Sequence, residues 1–172
     1  LDMKKVLVTG ISGFIGHQCA VELLKNGYSV RGTVRDLGKK DEVINGIKKE
    51  IDPVENLEFV NLDLLNDKGW DDAMKDCDYV LHVASPFFMK EPSNEDEYIK
   101  PAYEGTIRVL NAAQKAKVKR IVLTSSVVAM MGKVFDSNED SGIVNTESWT
   151  EENSKNINTY MKSKTLAEKG AW

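Results

Sequence analysis

Tyr160 and Lys164, in Tyr160-Met161-Lys162-Ser163-Lys164, lie one helical turn apart, so a helix through them carries a phenol and an ammonium on one face. Tyrosine ordinarily ionises near pH ~10, and a neighbouring ammonium favours the phenolate and lowers that value. Tyr160 would then protonate a carbonyl oxygen as hydride reaches the carbon, or remove the proton in reverse. Lys164 would also hold ribose hydroxyls. A hydroxyl pair, Ser125-Ser126, ends an apolar run upstream, and one of the two would hydrogen-bond and orient the same oxygen. Strand alternation decides which one faces the site, and both residue types also suit a capping role.

The chain opens with a strand-to-helix turn, Thr9-Gly10-Ile11-Ser12-Gly13-Phe14-Ile15-Gly16. Gly10 permits the tight turn, Gly13 a close backbone approach to a pyrophosphate, and Gly16 close packing of helix on strand. The helix start offers unpaired N–H groups and a positive dipole end. Gly10, Ser12, Gly13, Phe14, Ile15 and Gly16 are therefore cofactor-binding candidates. A cradle, a hydroxyl and a Tyr/Lys pair in that order make a site for moving a hydride to or from a carbonyl.

The second strand bears on which dinucleotide is held. An NAD site carries an acid about 20 residues or slightly more past the first glycine. Here Val34 takes that place and Arg35 follows, a guanidinium suited to a 2′-phosphate, with Lys39 or Lys40 adding charge. NADP(H) is the expected cofactor, although Asp36 keeps NAD possible and Arg35 would also serve as an exposed strand-end cation. Asp63-Leu64, after the third strand, suits an adenine amino group and ring, or a turn aspartate capping the next helix.

The elements that must position these groups alternate. Strands are expected at 4–9, 29–35, 56–61, 79–84 and 118–125. Helices are expected at 14–26, 39–51, 68–75, 95–116 (one, or two broken near Pro101) and 157–169. This order implies an α/β fold, a Rossmann-type doubly wound parallel sheet with right-handed crossovers. Apolar runs such as Ile121-Val122-Leu123 suit strands covered on both faces. Residues 132–155 read as a polar surface loop. His82 in its strand reads as structural and His17 as a helix-surface residue. No His/Cys/carboxylate spacing suggests a metal site.

With 172 residues, 41% hydrophobic and 29% charged, the chain suits one domain of ordinary globular composition. A net charge of -4 argues against nucleic-acid or membrane-surface binding. Cys19 and Cys77 sit in unrelated segments, so two free, largely buried thiols in a reducing, cytoplasmic setting are expected. No apolar run approaches the ~20 residues of a membrane span, and no signal-peptide core is present. A doubly wound domain has more strands after the final helix, so residues 1–172 are expected to be the N-terminal part of a longer protein.

Together these motifs resemble the extended short-chain dehydrogenase/reductase family. They look in particular like its dihydroflavonol-reductase-like branch, within the NAD-dependent epimerase/dehydratase superfamily. The residues that carry this are Val8 to Gly16, Val30 to Asp36, His82-Val83-Ala84-Ser85-Pro86, Val122 to Ser126, Glu147-Ser148-Trp149-Thr150 and Tyr160 to Glu168. The resemblance implies an NADP(H)-binding domain, with the substrate held by a smaller C-terminal domain absent here. It assigns Ser126, Tyr160 and Lys164 as catalytic, places Ala84 and Ser85 along the cofactor, and favours the adenine role for Asp63. In the plant dihydroflavonol enzymes a polar side chain follows the serine. Here the stretch is Val127-Val128-Ala129-Met130-Met131, which points away from a flavonoid and towards a less polar aldehyde, ketone or secondary alcohol.

The expected activity is therefore carbonyl reduction, and a chain lacking the C-terminal segments would bind cofactor weakly and turn over little. A nucleotide-sugar epimerase or dehydratase shares the glycine turn, serine and Tyr/Lys pair, but prefers NAD. A non-catalytic dinucleotide sensor would not need Tyr160 and Lys164. Family members often dimerise through two helices, for which 95–116 and 157–169 are the candidates.

Overall fold

The computed structural model describes residues 3–87, 90–136 and 143–172, with backbone only for 135 and 136. The chain divides into two units, Leu1–Ala84 with Arg108–Thr124, and Ser85–Ile107 with Ser125–Trp172.

The first unit is a parallel sheet. Its strands are β1 (Lys5–Val8), β2 (Ser29–Val34), β3 (Leu57–Asn61), β4 (Tyr79–His82) and β5 (Arg120–Leu123), in the order β3-β2-β1-β4-β5. Every pairing is parallel, with Val6 opposite Val30 on one side and Tyr79 on the other. Side chains alternate across a strand, so the apolar run of β1 feeds two cores. Val6 and Val8 pack with Ala20, Val21 and Leu24 of α1 (Phe14–Lys25) and with Val43 and Ile47 of α2 (Lys40–Ile47). Leu7 packs on the opposite face with Trp70 and Ala73 of α3 (Trp70–Ala73), and with Val109, Ala112 and Ala113 from the end of α4 (Asp96–Lys115). Arg31 extends the β2 layer, donating from Nη1 to the carbonyls of Ala73 at 2.6 Å and Lys75 at 2.8 Å.

Several boundaries differ from expectation for local reasons. The second helix is preceded by a 3-10 turn at Leu37–Lys39, capped by Asp36, whose Oδ1 accepts from Gly38 N–H at 2.8 Å. Pro101 does not break α4; the helix runs through it, forgoing one bond to the carbonyl four residues back. β5 is not covered on both faces, because Val122 is 52% exposed and Arg120 is also exposed. His17 is half-buried rather than on the surface; its ring packs so tightly on α2 that a Cβ at Gly46 would lie 2.7 Å from its Cε1. Cys77 is buried and Cys19 only partly so; both are free, and burial pushes both thiols up.

The second unit contains the first part of α4, a 3-10 turn at Val127–Ala129, α5 (Gly132–Asp136) and α6 (Thr159–Ala171). α6 packs on the 3-10 turn. It also meets α4, where a Cβ at Gly170 would lie 2.5 Å from the Tyr103 ring and Lys162 reaches Glu95 at 2.8 Å. The two helices expected to serve a dimer thus already pack on each other. The stretch from 132, expected to be irregular, begins with helix α5. Buried Thr150 pins it, donating from Oγ1 to the Val128 carbonyl at 2.6 Å and accepting from Gly132 N–H at 2.7 Å. Part of that expected loop, residues 137–142, lies outside the described residues. Among the described residues no helix is long and apolar enough to cross a membrane.

Candidate functional site

In the first unit the glycine turn follows β1 directly. Gly10 has φ +69°, a left-handed conformation that side chains disfavour. A Cβ at Gly16 would lie 2.2 Å from the Gly10 carbonyl oxygen, so the helix start is seated against the turn with no room for a side chain. The turn is tied to β2 by Thr33, whose Oγ1 accepts from Gly10 N–H at 3.0 Å and whose carbonyl accepts from Ile11 N–H at 3.2 Å. Gly13 N–H is used internally, donating to the Gly10 carbonyl at 3.0 Å. The N–H groups of Ser12, Phe14 and Ile15 have no acceptor among the described residues, and all three residues are exposed, Phe14 to 84%.

Thr9 and Ala84 complete this corner. The Thr9 hydroxyl is fully buried and accepts from the N–H groups of Val83 and Ala84, both at 2.9 Å. With both lone pairs taken, its proton goes to His82 Nδ1 at 2.8 Å, which makes His82 the neutral Nε2–H tautomer. His82 is therefore structural, as its lone place in a strand suggested. Ala84 touches the turn, its Cβ 3.0 Å from where a Gly10 Cβ would be.

The remaining candidates of this unit are dispersed. Arg35 is exposed at the end of β2, with no hydrogen bond or ion pair to its guanidinium among the described residues. Lys39 is exposed and pairs with Glu42 at 3.4 Å, while Lys40 sits 5.9 Å from the Phe59 ring centroid. Asp63 forms an Asx turn, its Oδ1 accepting from Leu65 N–H at 2.9 Å. Leu64 is partly buried against the Trp70 core, and its carbonyl accepts from Arg108 at 2.7 Å.

In the second unit, α6 presents the Tyr/Lys pair. Asn158 caps the helix, accepting from Met161 N–H at 2.9 Å, a start that the sequence reading placed slightly early. The Tyr160 ring stands edge-on to Phe87 at 5.3 Å and to Tyr98 at 6.1 Å between centroids. Ser163 donates back to the Tyr160 carbonyl at 2.8 Å. Lys164 is 5% exposed; burial pulls its ammonium below the usual lysine range, and the Glu168 carboxylate opposes that. Ser126 caps the 3-10 turn on which α6 packs, accepting from Val128 N–H at 3.4 Å, so its own proton remains available to donate. Ser125 turns elsewhere and donates to Glu168. Ser85 Oγ is buried without a partner among the described residues, an orphan that fits a ligand-facing hydroxyl.

Sequence reasoning missed Thr9, Thr33 and Glu168. The signal for Thr9 was a hydroxyl residue directly before the glycine turn with a histidine in the adjoining strand. The bonds of Thr33 with Gly10 and of Glu168 with Ser125 are non-local, and no local spacing indicates them.

A profile of the NAD dependent epimerase/dehydratase family matches residues 6–172. Tetraketide alpha-pyrone reductase 1 of Arabidopsis thaliana is 38% identical over 98% of this chain and 52% of its own length. Cinnamoyl-CoA reductase 2 of Medicago truncatula is 40% identical over 98% of this chain and 48% of its own. Among solved structures, the yeast methylglyoxal/isovaleraldehyde reductase Gre2 complexed with NADPH superposes with a TM-score of 0.82. It is 30% identical, over 98% of this chain and 52% of that one. The chain spans about half the length of the curated relatives it matches.

Proposed function

This chain belongs to the NAD dependent epimerase/dehydratase family, and from that premise we propose that it is the dinucleotide-binding part of an NADPH-dependent reductase converting an aldehyde or ketone to an alcohol. The observation that carries the reading is Lys164, buried one turn from Tyr160 on the helix that packs against the Ser126-capped turn. A solvated helix pair would need neither burial nor a hydroxyl-capped neighbour. The printed activities of the relatives, all reductases, and the NADPH of the Gre2 structure point the same way.

The residues fit a dinucleotide. The N–H groups of Ser12, Phe14 and Ile15 would hold the pyrophosphate, and Gly10 and Gly16 would let it approach. Arg35, aided by Lys39, would pair with a 2′-phosphate, Asp63 and Leu64 would meet the adenine, and Ala84 and Ser85 would line the remainder. The bound nicotinamide supplies the hydride. Tyr160 delivers its phenolic proton to the carbonyl oxygen, the charge left on the phenolate is stabilised by the Lys164 ammonium, and Ser126 donates a hydrogen bond that orients the oxygen. Val127, exposed directly after Ser126, suits a substrate of low polarity. The two free thiols suit a reducing cytoplasm, where we place the protein.

Replacing Tyr160 with Phe in the full protein tests the reading. Carbonyl turnover is expected to fall about 10²–10⁴-fold while NADPH binding, read by calorimetry, persists. Undiminished turnover overturns it.

A further inference from the structure

We infer that Thr150 is a positioning residue for this reaction: it clasps the backbone that follows Ser126 and so fixes where the Ser126 hydroxyl stands. The inference rests on the reading of Ser126 given above.

Thr150 closes the stretch Glu147-Ser148-Trp149-Thr150, which the proposed chemistry leaves without a task. It is fully buried, and its bonds converge on one short segment. Its N–H donates to the Ala129 carbonyl at 2.7 Å, and its Oγ1 donates to the Val128 carbonyl at 2.6 Å. The same Oγ1 accepts from Gly132 N–H at 2.7 Å. The two backbones also touch: a Cβ at Gly132 would lie 2.6 Å from Thr150 Cγ2 and 2.9 Å from its Cα.

The clasp reaches Ser126 through a single residue. Val128 gives its carbonyl to Thr150 and its N–H to Ser126 Oγ, the latter at 3.4 Å. The 3-10 turn is closed by Ala129 N–H on the Ser126 carbonyl at 2.9 Å and Met130 N–H on the Val127 carbonyl at 3.0 Å. Such a turn has poor hydrogen-bond geometry and holds its shape weakly by itself. The segment that carries Thr150 is in turn fixed to α6: Lys169 sits 5.7 Å from the Trp149 ring centroid and pairs with Glu152. Residues 149–152 therefore refer the Ser126 turn to the helix that bears Tyr160 and Lys164. Two groups that must meet one carbonyl oxygen need that common frame, because a displacement of about 1 Å costs about 10²-fold in rate.

The test measures carbonyl reduction by the full protein for wild type, Thr150→Val, Thr150→Ser and Ser126→Ala, and for Thr150→Val combined with Ser126→Ala. Thr150→Val keeps the shape and loses the hydroxyl. It should lower kcat about tenfold or more while the NADPH dissociation constant, read by calorimetry, stays within about twofold. Thr150→Ser should stay within about threefold of wild type, since the hydrogen bonds remain. In the Ser126→Ala background Thr150→Val should cost less than about twofold, because the group it positions is gone. Equal losses in both backgrounds overturn the inference, and so does a Thr150→Ser protein as slow as Thr150→Val. Should Thr150→Val not fold, Gly132→Ala presses on the same clasp, and an equal loss with and without the Ser126 hydroxyl overturns it likewise. Independently of turnover, hydrogen exchange at the Ala129 and Met130 amides should quicken in Thr150→Val while that of Val6–Val8 is unchanged; unaltered exchange at Ala129 and Met130 overturns the inference. If Ser126→Ala reduces carbonyls as fast as wild type, the reading of Ser126 fails and the inference with it, whereas exchange still decides whether Thr150 holds the turn.

Discussion

The hydroxyl of Thr9 lies 2.8 Å from His82 Nδ1, and the same oxygen receives the N–H groups of Val83 and Ala84. One side chain thereby joins the end of β1 to the segment after β4, immediately before the glycine turn. Thr9→Val removes three hydrogen bonds and takes from two partly buried N–H groups their acceptor. It should cost about 2–4 kcal/mol in denaturant unfolding and weaken dinucleotide binding, while Thr9→Ser stays within about 1 kcal/mol of wild type. A Thr9→Val protein as stable as wild type would show that the contact is incidental.

Gly16→Ala places a methyl 2.2 Å from a backbone oxygen, where no flexible side chain can yield. Helix α1 must shift away from the turn. The expected result is a loss of about 2–3 kcal/mol and of measurable NADPH binding by calorimetry. Tight binding by the variant would mean that the turn does not form the phosphate cradle.

Arg35 is exposed and its guanidinium is uncommitted among the described residues. Arg35→Ala should raise the NADPH dissociation constant by roughly tenfold and leave that of NADH within about twofold, since only the former carries the 2′-phosphate. Equal effects on both would remove Arg35 from phosphate recognition, and a wild-type preference for NADH would favour the epimerase or dehydratase class.

Asp78 joins three strands near their N-terminal ends. It accepts from Lys119 Nζ at 2.6 Å, Lys5 N–H at 3.0 Å and Lys4 Nζ at 3.5 Å. Foremost the Lys119 bond, then the Lys5 N–H, hold its carboxyl down at about 2, below the ordinary 3.8. A carboxylate depressed in the folded state stabilises fully above its unfolded value, and that stability is lost as pH falls through the folded one. Melting temperatures should therefore fall more steeply for wild type than for Asp78→Asn between about pH 4 and pH 2, with the variant the less stable at neutral pH. Parallel curves would count against this.

The strands and helices could largely be read from the chain because the apolar runs, the glycine turn and the Tyr/Lys spacing are local patterns. What escaped is non-local. The partner of Thr9 is 73 residues away, and that of Ser125 is 43 residues away. Neither leaves a trace in periodicity. Val122 looked like the centre of a buried strand because its neighbours are apolar. Its exposure, 52%, depends on what packs on that face of the sheet, which composition does not encode. For Asp63, sequence left two roles open. The Asx turn it makes uses one oxygen for the Leu65 N–H, and the next helix, α3, is capped at Gly69 instead.

The order β3-β2-β1-β4-β5 places β1 in the middle, with hydrogen-bonded neighbours on both sides and a core on each face. Amides in such a strand reach solvent only when the whole unit opens, whereas edge strands fray alone. Deuterium should therefore enter the Val6–Val8 backbone last. The slowest-exchanging stretch of the unit is the one that ends where Thr9 and Gly10 begin. The glycine turn is thus mounted on the part of the molecule whose lifetime in the closed state is the lifetime of the fold itself.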